Sequence, residues 1–120
     1  MNIKQLCVDL SEWGADVKSA LERVIDDEEL YAECLSDLIC DKEFELLDSD
    51  IKNKTFEDTF SHLHALKGVV GNMGLTPLYN VVSDMTESFR AGDYSNYEEQ
   101  YVRIQKEKET FFKIMEKNKN

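Results

Sequence analysis

Residues 56–74 read Phe56-Glu57-Asp58-Thr59-Phe60-Ser61-His62-Leu63-His64-Ala65-Leu66-Lys67-Gly68-Val69-Val70-Gly71-Asn72-Met73-Gly74. At about 100° per residue, Phe56, Phe60, Leu63, Leu66 and Val70 fall on one stripe, so the stretch predicts an amphipathic helix with one buried face. Thr55-Phe56-Glu57-Asp58 reads as a capping box that opens this helix, with Asp58 replacing the usual longer acid, and Gly74 ends it. His64 lies beside the stripe, near its solvent edge. Lys67 and Gly68 follow it by three and four residues and share its face, one bringing charge and the other space. Lys67 falls closer to the stripe, so its stem is expected to rest on apolar surface while its head reaches outward. His62 lies about 200° from His64, which excludes a metal site shared by the two.

Similar patterns extend on both sides. Ile3 to Trp13 forms a short first segment that stops near Gly14, and Val17, Leu21 and Val24 mark a second with helical spacing. Asp26-Asp27-Glu28-Glu29 suits a helix start, where carboxylates meet the positive end of the dipole. Leu30, Cys34, Leu38, Leu47 and Ile51 then form an apolar stripe that the polar Asp41-Lys42-Glu43 permits to bend. Thr76-Pro77 reads as an N-cap with proline at the first helical position. Leu78, Val81, Val82, Met85 and Phe89 follow before Gly92, and Ser95-Asn96-Tyr97-Glu98 reads as a second capping box. The last helix shows Tyr97, Tyr101, Ile104, Phe111 and Met115, and the polar end from Glu116 to Asn120 is expected to fray. Amphipathic helices on short connections pack as antiparallel neighbours. The expected fold is all-α, an up-and-down antiparallel four-helix bundle with a short additional N-terminal helix in residues 1–13, the 120 residues forming a single domain.

Composition agrees with long regular elements: one proline and five glycines in 120 residues. The formal net charge of −11 resides in the first half, where residues 1–60 hold 17 Asp and Glu against 6 Lys and Arg. Nucleic acids and anionic membranes, which are bound through Lys and Arg, are therefore not expected partners. No apolar run approaches the roughly 20 residues of a membrane span. Cys7, Cys34 and Cys40 are an odd set without C-x-x-C spacing, and no secretory leader precedes them, so they read as reduced thiols of a cytoplasmic protein, Cys34 packing on an apolar face. Met1 at the start and the polar finish favour a free protein over an excised domain.

The glycines of the His64 helix need a reason. Each costs roughly 1 kcal/mol relative to alanine in a helix interior. Either a neighbouring helix approaches closely, or space is kept over His64 for a second protein bringing a phosphoryl group. Gly71 fits the first reading at least as well; Gly68, one turn beyond His64, fits the second better. Imidazole titrates near pH 6.5, so its neutral, nucleophilic form is abundant at about pH 7 without a dedicated base. Lys67 beside it can offset the charge of a bound phosphoryl group.

These residues resemble a known family, the histidine-containing phosphotransfer (HPt) domains of two-component phosphorelays. The likeness rests on Ser61 to Gly74, which matches the family's H-x-L-K-G core and glycine-rich continuation, then on Leu75-Thr76-Pro77-Leu78 and Phe89-Arg90-Ala91-Gly92-Asp93. Upstream, Ala20-Leu21-Glu22-Arg23 and Asp27-Glu28-Glu29-Leu30-Tyr31 resemble its usual start, so the likeness covers about residues 14–115. It implies a phosphoryl carrier: His64 takes the group from a receiver-domain phosphoaspartate, holds it as phosphohistidine and passes it to another receiver's aspartate. Lys67 would steady the phosphoryl oxygens and Gly68 leave room for them. Thr86 stands where the family often has a longer polar side chain that orients the imidazole. Arg90, a turn further on, would reach the phosphoryl region or stabilise the helix end near Gly92. Gly71 is a further auxiliary candidate, and Val69, Met73 and Tyr79 are candidates for the docking surface.

The implied partners are response-regulator receiver domains and a hybrid histidine kinase, meeting a monomer. No cofactor of its own is implied, since Mg2+ would come with the receiver, and no autonomous kinase activity. Two other readings are a phosphoacceptor substrate domain of a histidine kinase and a helical interaction module that is never phosphorylated.

Overall fold

The computed structural model describes residues 1–119. Among them it has seven α-helices and no strand: α1 (Ile3–Trp13), α2 (Val17–Arg23), α3 (Glu28–Ile39), α4 (Lys42–Asn53), α5 (Thr59–Asn72), α6 (Thr76–Arg90) and α7 (Tyr97–Lys117). Side chains of Asn2, Asp16, Asp27 and Asp41 each accept a backbone amide of the first turn of α1 to α4, satisfying donors that a helix start leaves open. Gly74 turns the chain out of α5 at φ +72°, and a Cβ there would collide with the Asp16 carbonyl oxygen. That close approach seats α2 against the end of α5, where the Asp16 amide donates to the Gly74 carbonyl at 2.7 Å.

Helices α4 to α7 run alternately up and down. Asp50, late in α4, meets Thr59 and His62, early in α5, at 3.1 and 2.7 Å. Lys67 of α5 faces Glu87 of α6, and Gln100, early in α7, donates to Ser88, late in α6, at 2.8 Å. The ring closes where the Tyr101 hydroxyl of α7 donates to Asp48 of α4 at 2.6 Å and Phe112 packs edge-on against Phe44. This is the expected up-and-down antiparallel four-helix bundle. Tyr31 of α3 donates its hydroxyl to the Met73 carbonyl at 2.8 Å, which ties α3 to the end of α5, and α3 also packs against α1 and α2. The extra N-terminal helix, α1, lies antiparallel to α7: Trp13 stacks on Phe111 and donates to Glu107 at 2.8 Å, while Asp9 accepts from Asn118 at 2.9 Å.

Leu63, Leu66 and Val70 of α5, Leu78, Val82, Met85 and Phe89 of α6, and Ile104 and Phe111 of α7 fill the core with Leu35, Leu38, Phe44 and Leu47. Burying each such side chain stabilises the fold by about 1.5–3 kcal/mol before entropy is counted.

Several local expectations are corrected. The third stripe is buried through Tyr31, Ala32, Leu35 and Leu38, while Leu30 is exposed and Cys34 half-buried. The bond from Tyr31 to Met73 is consistent with that rotation, and the chain breaks into two helices at Cys40-Asp41. The capping box at Thr55 is not formed; α5 starts after Asp58, because Phe56 is drawn into a cluster with Phe89, Tyr94 and Tyr97 at centroid distances of 4.9–5.4 Å. Ser95 bonds Asp93 instead of capping α7, which begins after Asn96. Leu75, not Thr76, is the N-cap of α6. The fraying expected from Glu116 is not found: α7 runs to Lys117, and Asn118 is buried between Asp9 and the Ile114 carbonyl. Asn120 lies outside the described residues.

Candidate functional site

Helix α5 presents His64 on its solvent side. The imidazole is exposed, stacks on Phe60 of the preceding turn at 5.8 Å and 24°, and has no hydrogen-bond partner among the described residues. Its nitrogens are available to a reactant. Lys67 behaves as its place near the stripe predicts: its side chain is 24% exposed, and only its ammonium reaches out, to 3.3 Å from Glu87 Oε1.

Gly68 has open space above it, since a Cβ there would meet nothing within 4 Å. No neighbouring helix demands this glycine. At Gly71 a Cβ would lie 3.1 Å from the Tyr79 ring, so close helix packing accounts for that one. An open cleft of about 600 Å³ runs from His64, Lys67 and Gly68 past Gly71 to Tyr79 and Asn80 on α6 and Arg23 on α2. Tyr79, Val69 and Met73 all pack partly against the core, and of the three Tyr79 lines the cleft.

Thr86 is not the partner of the imidazole. It is wholly buried, and its hydroxyl donates to the Val82 carbonyl one turn back at 2.6 Å. A short β-branched side chain on the core side of α6 bonds its own helix and cannot span to α5. Arg90 reaches the neighbourhood by another route: its guanidinium lies 4.9 Å from the centre of the Phe60 ring, and its Nε donates to Glu87 Oε2 at 3.1 Å. The ring that stacks on His64 thus also carries a cation. It is in the last turn of α6, so the helix-end reading agrees with its position as well.

Three neighbours escaped the sequence reading. Glu87 joins Lys67 to Arg90, and these hydrogen bonds, Arg90's foremost, hold its carboxyl below the usual range. Phe60 is half-buried and turns a ring face to His64 as well as serving the apolar stripe. Arg23 donates to the Asn72 and Gly71 carbonyls at 3.0 and 3.4 Å, capping the open end of α5 and bringing a second cation to the cleft. The single local signal was the charge of Arg23; its placement depends on how α2 meets Gly74.

His62 points elsewhere, its Nδ1 2.7 Å from Asp50 Oδ2, which also accepts the Thr59 hydroxyl. Among the described residues no three His, Cys, Asp or Glu side chains cluster as a metal site would require, and no helix is long and apolar enough to cross a membrane. Cys7, Cys34 and Cys40 are unpaired, and burial together with nearby Glu28 pushes the Cys7 thiol up, away from reactivity.

No match to a curated protein or to a solved structure reaches significance. The family model described as Hpt domain matches residues 29–110, from the first turn of α3, through α4, α5 and α6 entire, into α7. That span is more than half of the chain and includes His64, Lys67, Gly68 and Glu87, and on this match the chain belongs to the Hpt domain family.

Proposed function

We propose that the chain is the phosphoryl-carrying intermediate of a phosphorelay and that His64 is its acceptor. Hpt domains serve phosphotransfer in two-component systems and interact with receiver domains. The observation that supports the finer reading is the exposed, unpartnered His64 imidazole with open space at Gly68 one turn along. A phosphoaspartate on a second protein can approach such a nitrogen in line.

In the reaction, the lone pair of the neutral imidazole forms the N–P bond as the acyl phosphate O–P bond breaks. The departing electron pair stays on the receiver's aspartate as carboxylate, and the imidazole's own proton remains on its other nitrogen until solvent takes it. The reverse sequence delivers the group to another receiver. Transfer of this kind needs positioning and charge stabilisation more than a strong base. Phe60 holds the ring plane, Lys67 is the near cation, and Arg90 and Arg23 add positive charge on either side. Under this proposal magnesium belongs to the receiver, the carrier acts as a monomer in the cytoplasm, and the free thiols fit that reducing compartment.

The test is to mix the purified chain with radiolabelled phospho-receiver domains and follow the label. Transfer to the chain within seconds to minutes supports the reading. Receivers that keep their label at the rate of their own hydrolysis, across all receivers of the source organism, would end it.

A further inference from the structure

We infer that Glu87 is a positioning residue that sets how firmly His64 keeps its phosphoryl group, by competing with that group for Lys67. The inference rests on the reading of His64 as the acceptor. One carboxylate serves two cations from different places: Oε1 faces Lys67 across the α5–α6 interface at 3.3 Å, and Oε2 accepts from Arg90 on its own helix at 3.1 Å. Arg90 in turn lies on Phe60, and Phe60 stacks on His64. Lys67 and Arg90 are thus held by the same anion.

The competition is one that a phosphoryl group wins only in part. Glu87 is 54% exposed and Arg90 51%, and ion pairs so open to water are weak. A phosphoryl group brings roughly −1.5 to −2 charges and three acceptor oxygens against the single charge of a carboxylate. Lys67 is three residues from His64 on the same helix face, and its ammonium has three donors. On phosphorylation it is drawn from Glu87 toward the new oxygens, and the loss of its pairing with the Glu87 carboxylate counts against phosphohistidine. No covalent bond of Glu87 changes. Its effect is to keep phosphohistidine high enough in energy to be handed on, as a carrier requires.

The experiment uses the full chain as wild type, Glu87→Gln, Lys67→Met and the double variant. Each is equilibrated with a radiolabelled phospho-receiver that transfers to wild type, and the label is divided into aspartyl phosphate and acid-labile, base-stable phosphohistidine. Circular dichroism melting of each variant separates electrostatic from folding effects. Glu87→Gln should move the partition about threefold to tenfold toward phosphohistidine with an unchanged melting curve, and less than about twofold in the Lys67→Met background. An unchanged partition, a shift toward the receiver, or a shift that survives Lys67→Met overturns the role of Glu87 and leaves the carrier reading standing. Absence of label from wild type with every receiver overturns the carrier reading and this inference together.

Discussion

The Tyr79 ring lies 3.1 Å from where a Cβ on Gly71 would stand, whereas the corresponding space at Gly68 is empty. Two glycines three residues apart on one helix therefore exist for different reasons. Gly71 lets α6 approach α5, and among the described residues nothing packs against the place of a Gly68 side chain. A residue that costs helix stability without an internal use points outward, to whatever meets His64.

Gly68→Ala should accordingly stabilise the folded protein, by about 0.5–1 kcal/mol, because alanine favours the helix and its methyl touches nothing. The same methyl should slow transfer from a phospho-receiver about tenfold or more by displacing the approaching group. Thermal melting and rapid-quench transfer on one preparation give both numbers. A stabilised variant that transfers at the wild-type rate would show that Gly68 is not clearance for the partner.

Asp50 holds the other histidine of the helix. Its carboxylate accepts both the Thr59 hydroxyl and the His62 ring where α4 meets α5. Asp50→Ala should destabilise by about 1–2 kcal/mol, since two partly buried groups lose their partner. Transfer measured well below the melting temperature should be unchanged, because His62 and His64 point to different sides. Urea titration reads the first effect; a matching loss of transfer rate would tie His62 to the chemistry.

Acid should loosen the bundle at identifiable places. Hydrogen bonds from Asn118 and Gln5 hold the Asp9 carboxyl below its ordinary value, and Lys52 and Tyr101 do the same for Asp48. A carboxyl whose folded-state value is depressed contributes stability that is full above its unfolded value, near pH 4, and is lost as pH falls through the lower folded value. Melting temperature should then be steady from about pH 7 to 5 and drop below about pH 4. Asp48→Asn should start less stable at neutral pH and fall less steeply, a comparison made by circular dichroism at each pH. Equal slopes for the two proteins would remove Asp48 from the account.

Much of this was legible because it is local. His64, Lys67 and Gly68 lie within one and a half turns, so the sequence spacing alone puts them on one face, and α5 to α7 follow their apolar periodicity. What the sequence hid depends on register between helices. Whether position 86 or 87 of α6 meets the site is a rotation of one residue, and the structure buries Thr86 while turning Glu87 toward Lys67. The capping boxes at Thr55 and Ser95 failed for a similar reason: Phe89, Tyr94 and Tyr97 gather around Phe56, and that aromatic packing outweighs a local cap. Arg23 reaches the cleft only because Gly74 admits Asp16, a contact between residues far apart in sequence.

The most direct measurement is the chemical location of the phosphoryl group after the chain is mixed with a phospho-receiver. Wild type should acquire label that acid removes and base leaves intact, the behaviour of phosphohistidine, and His64→Gln should acquire none while His62→Gln labels as wild type does. Label that persists in His64→Gln, or that base removes, would contradict the assignment of His64 as the carrier.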